Sequence, residues 1–198
     1  MSHFDKRAEG WDKGNIQVAG AKIIADAIRE EIELNNSMQI IDFGTGTGLL
    51  GFDIASSVKQ VHGVDTSSKM LEKLEEKNTT ELNIIPYKQD IIKEPLTQKF
   101  DGLISSMTLH HIENLEDFFK TIKNTLKKDG FIAIADLETE DGSFHSDNTG
   151  VFHFGFDEKE LCDIVNMCGF KEVKFNNINT IKKPQREFGV FLLTAKVA

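Results

Sequence analysis

The sequence predicts an α/β protein: a doubly wound, mostly parallel sheet with helices on both faces. Three observations carry that expectation. Strand-like apolar runs and helix-period segments alternate five times between residues 40 and 137. A glycine-rich turn, Gly44-Thr45-Gly46-Thr47-Gly48, joins the first of those strands to the helix after it. The last two strand-like stretches, 170–177 and 188–196, have no helix between them, so they end the sheet as a hairpin. At 198 residues the chain suits a single domain over 1–198, burying roughly 70% of its unfolded surface.

Residues 1–35 form an N-terminal arm with two aromatics, Phe4 and Trp11, then a helix over about 17–34 with Ile24, Ala27, Ile28 and Ile32 on one face. The first strand, Ile40-Ile41-Asp42-Phe43, runs into the glycine turn, and Leu49, Phe52 and Ala55 mark a helix over about 48–58. The turn combines glycines, which let a ligand lie against the backbone, with a helix N-terminus that offers free N–H groups. The second strand, 60–65, ends in Asp65, which lies 21 residues beyond Gly44, where a ribose-binding carboxylate falls in nucleotide folds. Thr66, Ser67 and Ser68 supply the next N-cap, and Met70, Leu71 and Leu74 the apolar face of that helix.

The third strand, 82–87, carries Pro86 and belongs at a sheet edge; Gln89-Asp90-Ile91 follows it. The fourth, 100–107, contains Ser105 and leads to His110-His111, of which one is expected to face a ligand while the other packs elsewhere. Asn114 caps a helix bearing Leu115, Phe118, Phe119, Ile122 and Leu126, closed by Lys127, Lys128 and Gly130. After the fifth strand, 131–137, comes an aperiodic segment, 139–156, holding His145 and His153. It leaves from the carboxyl end of a strand, where ligands bind in such sheets, and reads as a substrate loop. Phe156, Asp157, Glu160 and Leu161 then combine a capping box with a hydrophobic staple, opening a helix that stops at Gly169.

Composition narrows the function. A net charge of −9 gives no general attraction for phosphate backbones, which argues against nucleic acid; Lys182-Lys183 is the nearest thing to a basic patch. No apolar run approaches the ~20 residues of a membrane span. The opening Met1-Ser2-His3-Phe4-Asp5-Lys6 is not a secretory leader, which predicts a cytoplasmic protein. Cys162 and Cys168 lie six apart in one helix, a spacing for reduced buried thiols. No carboxylate cluster accompanies His110-His111, so no metal site is expected.

Residues 46–51 satisfy the dinucleotide fingerprint G-x-G-x-x-G, which leaves a nicotinamide-dependent dehydrogenase open as one reading. The acid two residues before the first glycine points elsewhere. Asp42-x-Gly44-x-Gly46-x-Gly48 resembles motif I of the class I S-adenosylmethionine (SAM) dependent methyltransferases, and the similarity extends over about residues 15–198. That resemblance implies a seven-stranded sheet of order 3-2-1-4-5-7-6 with strand 7 antiparallel. It implies SAM as cofactor and S-adenosylhomocysteine (SAH) as product. Asp42, Gly44, Thr45, Gly46, Gly48 and Leu49 would hold the methionine part; Asp65, Thr66 and Met70 the ribose side; Gln89, Asp90 and Ile91 the adenine, with Ser105 nearby. The arm would fold over the cofactor as a lid, with Phe4, Trp11, His145 and His153 touching the acceptor. His110 or His111 would be the general base if the acceptor must lose a proton. The implied reaction is methyl transfer to a small-molecule acceptor through oxygen, nitrogen, sulfur or carbon. A SAM-binding regulator without catalysis is the other reading that the motif permits.

Overall fold

A computed structural model describes residues 4–184 and 186–198. Met1–His3, the start of the predicted arm, and Gln185 lie outside the described residues. Seven strands form one sheet: β1 (Gln39–Phe43), β2 (Gln60–Asp65), β3 (Ile84–Lys88), β4 (Phe100–Ser106), β5 (Leu126–Leu137), β6 (Phe170–Lys182) and β7 (Glu187–Val197). Their order is β3-β2-β1-β4-β5-β7-β6, with β7 antiparallel to both neighbours. This is the predicted Rossmann-like topology, and Pro86 sits on the edge strand where its missing N–H costs no ladder bond.

Among the described residues, five α-helices cover the sheet: α1 (Asn15–Glu31), α2 (Leu49–Ala55), α3 (Ser68–Glu75), α4 (Leu115–Thr125) and α5 (Glu158–Met167). Because strand side chains alternate between faces, neighbouring residues feed two separate cores. Ile40 joins Ile28, Leu50, Ile54 and Leu74 under α1–α3, whereas Ile41 joins Phe118, Phe119, Ile122 and Val165 under α4 and α5. Ile104 and Leu103 of β4 divide in the same way.

Several boundaries differ from the sequence reading for local reasons. The first helix runs from Asn15 to Glu31, not 17–34, because Ile32 turns to extended backbone (φ −120°, ψ 123°) and closes it by donating to Ile28 O. The helix after the glycine turn spans only Leu49–Ala55, since Gly48 is left-handed (φ 84°) and cannot be helical. The fourth helix ends at Thr125. Lys127 and Lys128 belong to β5, and Lys127 is 2.7 Å from Asp101 at the start of β4 instead of closing the helix. The hairpin is longer than predicted at its turn, where Lys182 pairs with Glu187 in register and as an ion pair at 3.0 Å.

Candidate active site

The parallel strands β1, β2, β4 and β5 all end on one side of the sheet, and a cavity of about 1420 Å³ opens there. Its floor is the glycine turn. Gly44 and Thr45 donate from their backbone N–H groups to Val64 O at 2.9 and 3.1 Å, pinning the turn to β2. Gly44, Gly46 and Gly48 all have positive φ (67°, 55°, 84°). A Cβ on Gly44 would lie 2.3 Å from the Thr108 side chain, whereas one on Gly46 would meet nothing within 4 Å. Gly46 thus presents bare backbone to open space, the kind of cradle that a ligand can approach closely.

Three acids surround this cradle. Asp42 is 1% exposed and accepts from Thr45 Oγ1 at 2.6 Å; burial pushes its carboxyl up to about 7, with the neighbouring charge of Asp65 acting in the same direction. Asp65 accepts from Gly46 N at 2.9 Å and Ser67 N at 2.8 Å, and burial raises its carboxyl too. Asp90 follows β3 and is 2.9 Å from Lys93. Ser67 caps α3 as predicted, accepting from Met70 N at 3.2 Å.

The N-terminal arm lies across the same opening as two short 3-10 segments, Phe4–Lys6 and Ala8–Lys13. Its acids latch it down. Asp5 accepts from Ser67 Oγ at 2.7 Å, and Asp12 accepts from Thr47 Oγ1 at 2.5 Å and from Lys77 Nζ at 2.8 Å. Phe4 sits edge-on to Trp11 and to His111, with centroids 6.4 and 5.1 Å apart.

Beyond β4 the chain makes a 3-10 turn, Leu109–His111. Leu109 fills the core, and both histidines border the cavity, their rings 4.1 Å apart. The expectation that only one would face the cavity is corrected here: at about three residues per turn, successive side chains fan out, and two of them reach a wide opening. His110 is 1% exposed and Asp136, at the end of β5, is fully buried. Asp136 Oδ1 is 2.8 Å from His110 Nδ1, and Oδ2 accepts from His110 N at 3.1 Å. Leu137 N also donates to Oδ1 at 2.8 Å. A carboxylate bound there holds the proton on Nδ1 and leaves a lone pair on Nε2. Nε2 is buried and, among the described residues, has no hydrogen-bond partner.

Most residues singled out in the sequence border the cavity: Asp42, Gly44, Thr45, Gly46, Leu49, Asp65, Thr66, Met70, Gln89 and Asp90, with Phe4, Trp11, His110, His111 and His145. Four do not. Gly48 tucks against Phe52 and Leu74. Ile91 is wholly within the core, and Ile92 faces the cavity instead. Ser105 turns its hydroxyl to Phe43 O at 2.8 Å, leaving Ser106 on the cavity side. His153 packs on Phe156 and its Nε2–H donates to Ile112 O at 2.8 Å, while Phe152 borders the cavity. Asp136 and Phe144 are functional candidates that the sequence reading passed over, and Lys183 entered it only as half of the nearest thing to a basic patch; Asp136 at least ends a strand in an acid, the signal that found Asp42 and Asp65. Among the described residues no group of three or more metal-ligating side chains could hold an ion, and no helix is long and apolar enough to cross a membrane.

Comparison with known proteins agrees with this geometry. A family model described as a methyltransferase domain matches residues 34–167. An uncharacterised methyltransferase of Schizosaccharomyces pombe is 30% identical over 168 residues, covering 76% of this chain and 57% of the relative. The ubiquinone biosynthesis O-methyltransferase of Pelagibacter ubique is 26% identical, covering 69% and 63%. The chain therefore spans little more than half the length of such relatives. Among solved structures, a chain from the complex of the Haloferax volcanii Trm112 methyltransferase activator with a methyltransferase superposes with TM-score 0.80 at 17% identity, covering all of this chain and 98% of the other. The DhpI–SAH complex superposes with TM-score 0.78 at 14% identity, covering 99% and 94%. The matches favour neither the nicotinamide reading nor a silent regulator.

Proposed function

This chain belongs to the class I SAM-dependent methyltransferases, and we propose that it methylates a protic nucleophile of a small acceptor, with His110 as general base. The buried Asp136–His110 pair with its unpartnered Nε2 carries that reading. A protein that only bound SAM would gain nothing from an imidazole fixed in one tautomer beside an open cavity.

Bound SAM supplies an electrophilic methyl group with its own leaving group. The chain's residues then have four tasks. The glycine turn, with bare backbone at Gly46 and N–H groups at the start of α2, seats the amino-acid end. Asp42 places negative charge beneath it, Asp65 offers a carboxylate to the ribose hydroxyls, and Asp90 one to the adenine amine. The arm, latched through Asp5 and Asp12, excludes water. Finally, His110 Nε2 accepts the acceptor's proton as the nucleophile attacks, and Asp136 stabilises the imidazolium that forms. Alignment accounts for much of the remaining rate, where effective molarities reach roughly 10⁵–10⁸ M.

The test is turnover of His110→Ala and His111→Ala against an acceptor screen, with SAH affinity measured in parallel. Loss of turnover in His110→Ala with SAH binding intact supports the assignment. Wild-type turnover in both variants rules out either histidine as base.

A further inference from the structure

The cavity is larger than the 300–1,000 Å³ of an ordinary ligand site, and its far part has a charge character opposite to the cradle's. Around the glycine turn the buried ionisable groups are carboxylates. Toward β6, on the other edge of the sheet, the cavity is bordered by His110, His145, Phe144 and Lys183. Rings connect these groups: His110 to His145 at 4.9 Å, and His145 to Phe144 at 4.8 Å. The Lys183 ammonium lies 3.9 Å from the centroid of Phe144 and donates to that residue's main-chain O.

The Glu140 charge acts on the Lys183 ammonium from a distance without forming an ion pair with it. Among the described residues no carboxylate lies within ion-pair distance of it, and burial lowers its ammonium from the usual range. The acids nearby are already engaged. Asp136 is committed to His110 and Leu137 N. Glu140 Oε2 accepts from Gly142, Ser143 and Phe144 N, and Asp141 pairs with Arg186. His145 Nε2 is buried and, among the described residues, has no hydrogen-bond partner. In a chain of net charge −9, a half-buried ammonium without an ion-pair partner and a buried unpartnered imidazole nitrogen border one part of one cavity, a site suited to an anion.

We propose that the acceptor carries an anionic group, a carboxylate or a phosphate, which Lys183 and His145 bind while the atom to be methylated lies at His110. This rests on the methyltransferase reading of the cavity and adds the chemical class of its acceptor. The anion fixes the acceptor's orientation, and the Phe144 ring, in contact with both Lys183 and His145, is an apolar surface for its carbon frame.

The experiment uses the SAH-bound protein and matched probes: benzoate against benzamide, and phenyl phosphate against phenol, titrated by calorimetry. In the wild type one anion or both should bind about tenfold or more tightly than the neutral partner, the scale of a charge-assisted hydrogen bond; which pair discriminates separates carboxylate from phosphate. Lys183→Gln should reduce the preference to within about twofold, and Lys183→Arg should keep most of it. In the wild type, the preferred anion should also shift the His145 imidazole resonances, a readout that needs no variant to fold. Equal binding of charged and neutral probes, a preference that survives Lys183→Gln, or an unmoved His145 overturns the proposal. SAH affinity is titrated first in every protein. Its absence in the wild type would count against the cofactor site, whereas normal SAH binding without anion preference counts against the Lys183 site alone.

Discussion

Asp136 holds His110 at two points, the ring through Nδ1 at 2.8 Å and the main chain through N at 3.1 Å. One carboxylate thus fixes both the tautomer of the imidazole and the turn that carries it. Asp136→Asn should lower turnover by about 10²–10⁴-fold, the usual worth of a positioned base, while SAH affinity stays within about twofold because the cradle is untouched. A single-turnover assay beside an SAH titration checks it. Equal losses in both would make Asp136 merely structural.

The buried Asp42 predicts how cofactor binding depends on pH. Its carboxyl is raised from an ordinary 3.8 to about 7, so the fold favours the protonated acid and loses that contribution as pH rises between those values. A cofactor ammonium has the opposite preference and draws the carboxyl into its charged form. SAH affinity should therefore climb as pH increases from 5.5 to 7 and flatten above, with a slope of at most about tenfold per unit. Asp42→Asn should bind more weakly and lose the slope. Calorimetry across that range reads both.

Gly51 offers a purely steric test, since its backbone is not left-handed. An added Cβ would lie 2.7 Å from Asp42 Oδ2 and 2.8 Å from Ile84 Cδ1. Gly51→Ala should destabilise the fold by about 1–3 kcal/mol through overpacking and displace the carboxylate that accepts from Thr45. Urea unfolding gives the first effect. Weaker SAH binding at pH 7.5 gives the second.

His145 should make the protein sensitive to acid. Burial, reinforced by His110, His111 and Lys183, pushes its imidazole from 6.5 down to about 4. Its contribution to stability is thus complete above 6.5 and is lost as pH falls toward 4. Urea midpoints at pH 7, 5.5 and 4.5 should fall more steeply for wild type than for His145→Phe. Parallel curves would show that the ring titrates freely.

The arm latch gives a further measurement. Asp12 holds both Thr47 of the glycine turn and Lys77 beyond α3. Asp12→Ala should accelerate tryptic cleavage after Lys6 and Arg7 and weaken SAH binding several-fold, about the loss of one charge-assisted hydrogen bond. Unchanged cleavage would mean that Asp5, with Phe4 and Trp11, holds the arm without Asp12.

What the sequence made legible depended on range. Asp42, the glycine turn and Asp65 were readable because strand, turn and helix lie within a few residues of one another. The capping residues Ser67, Asn114 and Asp157 were readable for the same reason. Parity was harder: the two consecutive serines that end β4, or the consecutive Ile91 and Ile92 in the turn after β3, do not reveal which of the pair meets the cavity. Lys183 was beyond local reasoning. Its place follows from a hairpin that continues to Lys182 and Glu187 and brings its end to a loop some forty residues earlier.

The loop over 139–156 is stitched to the histidine turn by main-chain and histidine-ring hydrogen bonds. Phe152 N donates to His110 O at 2.9 Å, and His111 Nδ1–H donates to Gly150 O at 2.7 Å. In the proposed reaction, acceptor choice and proton removal therefore share one piece of backbone. A lineage drifting toward a new acceptor could not exchange this loop as an interchangeable part without also moving its base. Chimaeras that graft the loop alone should lose rate before they change preference, whereas grafts that carry residues 105–156 together should keep it.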